Sequence, residues 1–192
     1  LMLDTIRGDH STGVATLNTQ GVFQIAKDSV NAFELIKSKE LTKAMGNTLN
    51  ILMGHNRFAT KGAINADNAH PFEFGDVIGA HNGTLKTYHA MYNANKHAVD
   101  SKAVFENINH EGIGETWKKL NGAAALTWID KRDKTINITR NKERELFWCT
   151  ANNNKTLLWA SESWMLHVAA GREGLVITAP KMFPTNTHFK IG

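Results

Sequence analysis

Short apolar runs separated by polar turns dominate the chain, and their spacing predicts more strands than helices. Residues 13–17 and 22–27 flank Asn18-Thr19-Gln20-Gly21, a turn-rich tetrapeptide that predicts a β-hairpin. Val30, Phe33, Leu35, Ile36, Leu41 and Met45 then approximate one helical stripe, with Ser29 as its cap and Gly46 as its end. The apolar runs 49–53 and 76–80 read as strands, each running out into a polar cluster. Residues 85–92 and 100–108 read as helices, the second with Val104, Phe105 and Ile108 on one face, and 115–120 adds a short third. From residue 123 the pattern turns to strands at 123–129, 135–139, 146–150 and 156–160, followed by a helix over 162–170 and closing strands at 175–178 and 188–191. Strands, helices and strands again predict an α+β domain with two packed sheets and helices outside. No internal repeat, Pro/Ser-rich linker or low-complexity run divides the 192 residues, so a single domain is expected.

Composition removes several functions from consideration. Hydrophobic residues make up 42% and charged residues 21%, ordinary values for a globular domain. No apolar stretch approaches the roughly 20 residues that cross a bilayer, so no membrane partner is expected. The net charge of +4, from 22 Lys and Arg against 18 Asp and Glu, is spread along the chain and reads as a solvated surface rather than a nucleic-acid groove. Its one concentration, Asp130-Lys131-Arg132-Asp133-Lys134, has mixed sign and sits between two strand-like runs, which predicts a hairpin turn. Cys149 is the only cysteine. That excludes an internal disulfide and points to a reducing, cytoplasmic setting. Within Leu146-Phe147-Trp148-Cys149 it reads as a buried, inert thiol. The sequons at Asn82, Asn137 and Asn154 are read as coincidence.

The densest chemistry lies between Gly54 and Gly83, where GHNRFATKG is followed by NADNAHPF and then GAHNGTL. Upstream stands RGDHSTGVA, residues 7–15, and downstream Asp100-Ser101, LNGAAALTWID and LLWASESWML. Taken in order, these segments resemble the glutaminase domain of class II glutamine amidotransferases, which are N-terminal-nucleophile hydrolases. The resemblance covers nearly the whole chain. It implies a four-layer αββα sandwich of two packed, mainly antiparallel sheets, and hydrolysis of the glutamine side-chain amide with ammonia passed to an acceptor. The partners it implies are L-glutamine and an ammonia-accepting protein or domain, with no cofactor.

Carried over residue by residue, the resemblance gives Arg57 the α-carboxylate of glutamine, a fit that the planar fork of guanidinium donors explains. Phe58 and Thr60 belong to the same substrate-binding segment. Asp100 would accept from the α-ammonium, although it also stands where it can cap a helix beginning at Ser101. Asn82, through its amide, and Gly83, through its backbone N–H, would form the oxyanion hole, while the Asn-Gly dipeptide by itself reads as a hairpin turn. The family's nucleophile is a terminal cysteine on a strand of its own. The start at Leu1-Met2-Leu3-Asp4 resembles the helix beyond that strand, so the cysteine is expected ahead of it. Three positions depart from the familiar pattern: His10 where Asp is usual, Phe58 for a frequent Trp and Lys61 for a frequent His.

Rival chemistries have weaker support. His55, His70 and His81 match no compact zinc motif, so no metal is expected. Gly112 and Gly114 lack the third glycine of a dinucleotide fingerprint. The alternative to an amidotransferase is a catalytically inactive αββα module that binds an amino acid or serves assembly.

Overall fold

A computed structural model describes residues 1–192. After a single 3-10 turn at Leu3–Ile6, the chain forms the hairpin of β1 (Ser11–Asn18) and β2 (Phe23–Asp28). Asn18 closes it, since its side-chain oxygen accepts from the backbone N–H of Gln20 and of Val22. The predicted single helical stripe is two short helices instead, α1 (Ala32–Leu35) and α2 (Lys39–Met45), capped by the side chains of Asn31 and Ser38. Ser29 is not the cap, because its partner is the neighbouring Asp28. Leu35, Leu41 and Ala44 pack on Val14 and Ala26, whereas Phe33, Ile36 and Met45 stay exposed.

Next come β3 (Leu49–Arg57), β4 (Phe72–Phe74) and β5 (Val77–Thr87). β3 pairs antiparallel with β1 from Leu17↔Ile51 to Ser11↔Arg57, giving a sheet ordered β2-β1-β3. Helix α3 (Asp100–Lys119) breaks at Gly112, where φ is 82°, so the helices expected at 100–108 and 115–120 are its two halves. Then follow β6 (Asn121–Asp130), β7 (Thr135–Arg140), β8 (Phe147–Ala151), β9 (Thr156–Ala160), α4 (Ser163–Arg172), β10 (Lys181–Met182) and β11 (Phe189–Ile191). The charged pentapeptide 130–134 does turn the hairpin between β6 and β7. The strand expected at 175–178 reduces to one bridge, Ala151↔Ile177.

Two apolar cores order the layers. Ala15, Leu17, Ile51 and Met53 of the first sheet meet Ile78, Ala80, Ile129 and Ile138 of a five-stranded sheet ordered β11-β7-β6-β5-β4. On the opposite face of that sheet, Val77, Leu85, Leu126 and Trp128 pack on Val104, Phe105 and Ile108 of α3. Short helices, sheet, sheet and α3 therefore stack as an αββα sandwich, as expected. Two packed sheets were expected, and the layer facing the five-stranded one is divided in two. It consists of β2-β1-β3 and a separate sheet ordered β10-β8-β9, with the outer edges of β3 and β9 unpaired.

The largest departure from the expected elements concerns residues 85–92, which are not helical. β5 continues through His81-Asn82-Gly83-Thr84 to Thr87, paired with β6 from Val77↔Asp130 to Thr87↔Asn121, and 88–92 form a turn. Likewise β3 runs on through Gly54-His55-Asn56-Arg57. The second cluster thus lies wholly on a strand, the first runs from β3 into a loop after Arg57 as expected, and Asn82-Gly83 is no hairpin turn.

Candidate active site

Strand alternation decides which motif side chains meet. On β3, Ile51 and Met53 point into the inter-sheet core, so His55 and Arg57 share that face. On β5, Ile78 and Ala80 face the same core, which directs Asn82 and Thr84 towards β3 and turns His81 and Gly83 towards α3. The two strands therefore present Arg57 and Asn82 to each other's layer at one end of the sandwich. A groove of about 1790 Å³ runs between the sheets from the β1–β2 and β6–β7 turns to this end, where its lining includes Arg57, Phe58, Thr60, Asn82, Gly83 and Asp100. All six residues singled out in the sequence are thus brought together.

Arg57 is the last residue of β3 and only 5% exposed. Its guanidinium donates to two backbone carbonyls of the following loop, Ala63 O at 3.3 Å and Lys61 O. Three of its five N–H groups remain uncommitted to protein acceptors. Burial lowers its proton affinity and the negative charge of Asp100 opposes that shift. No carboxylate is paired with it at contact distance, and Asp100 has no cationic contact either. Asp100, 4% exposed, opens α3. It is not the helix cap, a place held by Val99; its Oδ2 accepts from Leu85 N–H at 2.7 Å and its Oδ1 from Ser101 N–H at 2.9 Å.

His81 joins these elements. Its Nε2 lies 3.1 Å from Ala123 O, an acceptor only, so Nε2 carries the proton and Nδ1 accepts from the Ser101 hydroxyl at 2.9 Å. Burial holds its pKa below the ordinary histidine range. A neutral His81 thereby ties β5 and β6 to the first turn of α3, next to Asp100. Gly83 is required by packing, since a Cβ there would stand 1.9 Å from Ala123 O and 2.5 Å from His81 Nε2.

The loop after Arg57 is fastened at several points. Ala59 N–H donates to His10 Nδ1 at 2.9 Å, Thr60 Oγ1 lies 3.3 Å from Thr84 Oγ1, and Lys61 Nζ donates to Leu85 O at 2.6 Å. Phe58, 62% exposed, stacks on His10 with ring centroids 4.7 Å apart. Sequence reasoning missed the parts played by His10, Thr84 and Ser101. Each lies inside a quoted motif, but only the tertiary contacts disclose its partner.

Two rival readings find no support in the geometry. Cys149 is 1% exposed on β8, burial pushes its thiol pKa up, and it does not line the groove. His55 and His70 meet as a tilted pair, ring centroids 4.1 Å apart, on the groove wall, yet no group of three or more His, Cys, Asp or Glu residues has an arrangement that could hold a metal ion.

Solved structures share this αββα layering. Glutamine phosphoribosylpyrophosphate amidotransferase from B. subtilis, complexed with ADP and GMP, superposes with a TM-score of 0.71 over 96% of this chain and 41% of its own, at 18% identity. A structure described as the allosteric regulatory enzyme of purine biosynthesis gives 0.73 over the same shares, also at 18% identity. A family model described as a glutamine amidotransferase domain matches residues 55–168, and the chain belongs to this family. Among relatives, glutamine–fructose-6-phosphate aminotransferase (isomerizing) of Vibrio vulnificus strain YJ016 is 27% identical over 143 residues, 66% of this chain and 23% of the relative. The protein of that name from Sulfurisphaera tokodaii is 34% identical over 84 residues, 43% and 14% of the two chains. The chain thus spans about a quarter of the length of the Vibrio relative.

Proposed function

We propose that residues 1–192 act as one glutaminase-like domain that hydrolyses the side-chain amide of L-glutamine to glutamate and ammonia, the ammonia passing to an acceptor protein or domain. One observation carries this reading. Two opposite charges, Arg57 and Asp100, are 5% and 4% exposed on one groove, and each has only neutral partners, backbone carbonyls for Arg57 and two backbone N–H groups with the Ser101 hydroxyl at 3.5 Å for Asp100. Buried charges are costly unless paired. A zwitterionic amino acid pairs both at once, its carboxylate on Arg57 and its ammonium on Asp100, and a simple amide pairs neither.

Asn82, on the face turned towards Arg57, makes no side-chain hydrogen bond within the protein, which leaves its amide N–H free for a developing oxyanion. Gly83 stands beside it as the backbone donor. The resemblance assigns the nucleophile to a terminal cysteine on its own strand. The unpaired edges of β3 and β9 border the same groove and offer hydrogen-bonding partners on both sides for such a strand. A terminal α-amine titrating near pH 8 takes the thiol proton, the thiolate attacks the amide carbon, and the amine returns the proton to the nitrogen as the C–N bond breaks, releasing ammonia and leaving a thioester. Water then hydrolyses the thioester and frees glutamate. A thiol nucleophile and a chain with one buried cysteine fit a cytoplasmic setting. No helix is long and apolar enough to cross a membrane.

The test is glutamate release from L-glutamine by the full-length protein, coupled to sequencing of its mature N-terminus. Turnover with a terminal cysteine is expected. Binding of glutamine without turnover, at a terminus other than cysteine, would establish the inactive-module alternative.

A further inference from the structure

The three positions that depart from the resembled pattern, His10, Phe58 and Lys61, all touch one loop. We propose that His10 is a positioning residue that latches the loop 58–64 and so fixes the Arg57 clamp for the substrate carboxylate. The inference rests on the glutaminase reading above.

His10 immediately precedes β1, and its backbone N–H donates to Arg57 O at 3.2 Å, so it lies directly beside the end of β3. Its ring makes two further contacts with the next two residues. It stacks on Phe58 at an interplanar angle of 26°, and its Nδ1 accepts from Ala59 N–H at 2.9 Å. Because that contact needs a lone pair on Nδ1, the ring proton sits on Nε2, on the side where Asp9 Oδ1 lies 3.9 Å away.

Beyond Ala59 the loop holds Arg57 in turn, through the carbonyls of Lys61 and Ala63. Lys61 ties its far side to Leu85, the residue whose N–H supports Asp100. A shift at Ala59 therefore reaches the guanidinium through the carbonyls that orient it. The loop also meets β5 at Thr84 and Leu85, but Asn82 and Gly83 themselves are placed by their pairing with Ala125 and Ala124 of β6 and share no hydrogen bond with Ala59. The latch should act on glutamine binding and leave the chemical step alone.

His10→Phe keeps a ring for stacking and removes the acceptor, whereas His10→Asn places an oxygen where Nδ1 was and removes the ring. In full-length protein, H10F should raise KM for glutamine about three- to tenfold with kcat within about twofold, the loss of one ordinary hydrogen bond. H10N should restore KM. A second readout needs no activity: trypsin cleaves after Lys61, and mass spectrometry of the nick at Lys61-Gly62 should show several-fold faster cleavage in H10F than in wild type or H10N. Wild-type KM and nicking in H10F would overturn the latch. So would H10N as impaired as H10F, or a loss confined to kcat with a lowered melting temperature. If wild type does not hydrolyse glutamine while the nicking pattern holds, the functional reading fails and the latch itself stands.

Discussion

The β5 alternation that points Asn82 at Arg57 makes a sharp demand on mechanism. An amide with no protein partner contributes little to stability, so its deletion should register in catalysis. Asn82→Ala is expected to lower kcat by about two to three orders of magnitude with little change in glutamine binding, because the lost donor acts in the transition state. Residue 82 lies in a regular strand pair with Ala125, so the alanine should fold normally by circular dichroism. Unchanged kcat would remove Asn82 from the oxyanion hole. Arg57→Lys tests the clamp. An ammonium, with three donors against five, cannot fork onto a carboxylate while also holding Lys61 O and Ala63 O, and kcat/KM should fall about 10- to 100-fold, mainly through KM. Wild-type kinetics would take Arg57 out of the substrate site. At this scale the candidate residues were legible in order and identity, because the motifs place them close together in sequence. Their supports were not: the bond from Ala59 to His10 joins two segments that nothing local connects, and Ser101 reads as a helix start until His81 is placed against it.

Among the elements, those with a clear local period were legible, including the β1–β2 and β6–β7 hairpins and both halves of α3. β5 was cut short at Ala80 because Asn-Gly resembles a turn and because the pairing that extends it, with residues 121–125 of β6, is remote in sequence. The helical stripe at 30–45 was read as one element because its apolar positions continue through the turn at Lys37-Ser38, where side-chain capping by Ser38 restarts the helix. Close packing fixes how α3 lies on β5. A Cβ at Gly79 would stand 2.1 Å from Cε1 of Phe105, a residue with no exposure at all. Gly79→Ala must therefore displace the ring or the helix, and about 1–3 kcal/mol of stability should be lost in urea unfolding. Phe105→Leu in the same chain should recover part of that loss. A G79A protein as stable as wild type would show that α3 sits less tightly on the sheet than these distances require.

In the molecule as a whole, the buried imidazoles lie where the two sheets and α3 converge, and they link the site to acid stability. His55 is held down to about 4, by burial first and then by the neighbouring His81. His70 is pushed well below its ordinary value by burial and the charge of His55, and His81 is lowered by burial against the opposing pull of Asp100. In the unfolded chain each titrates near 6.5. As pH falls through 6.5 the unfolded state takes up protons that the folded state refuses, so stability is fully present above that value and declines towards about pH 4. Each such proton costs about 1.4 kcal/mol per pH unit. The melting temperature should hold between pH 8 and 7 and fall steadily from pH 6.5 to 5, before carboxylates titrate appreciably. His70 supplies the control. Neither of its ring nitrogens has a protein partner, and the ring packs between His55 at 4.1 Å and Phe72 at 4.5 Å. His70→Phe keeps those contacts without a proton to lose, so it should match or exceed wild-type stability at pH 7.5 and show a shallower acid decline. A melting temperature flat from pH 7.5 to 5 would mean that the imidazoles protonate in place. An H70F profile parallel to wild type would shift the linkage to His55 and His81.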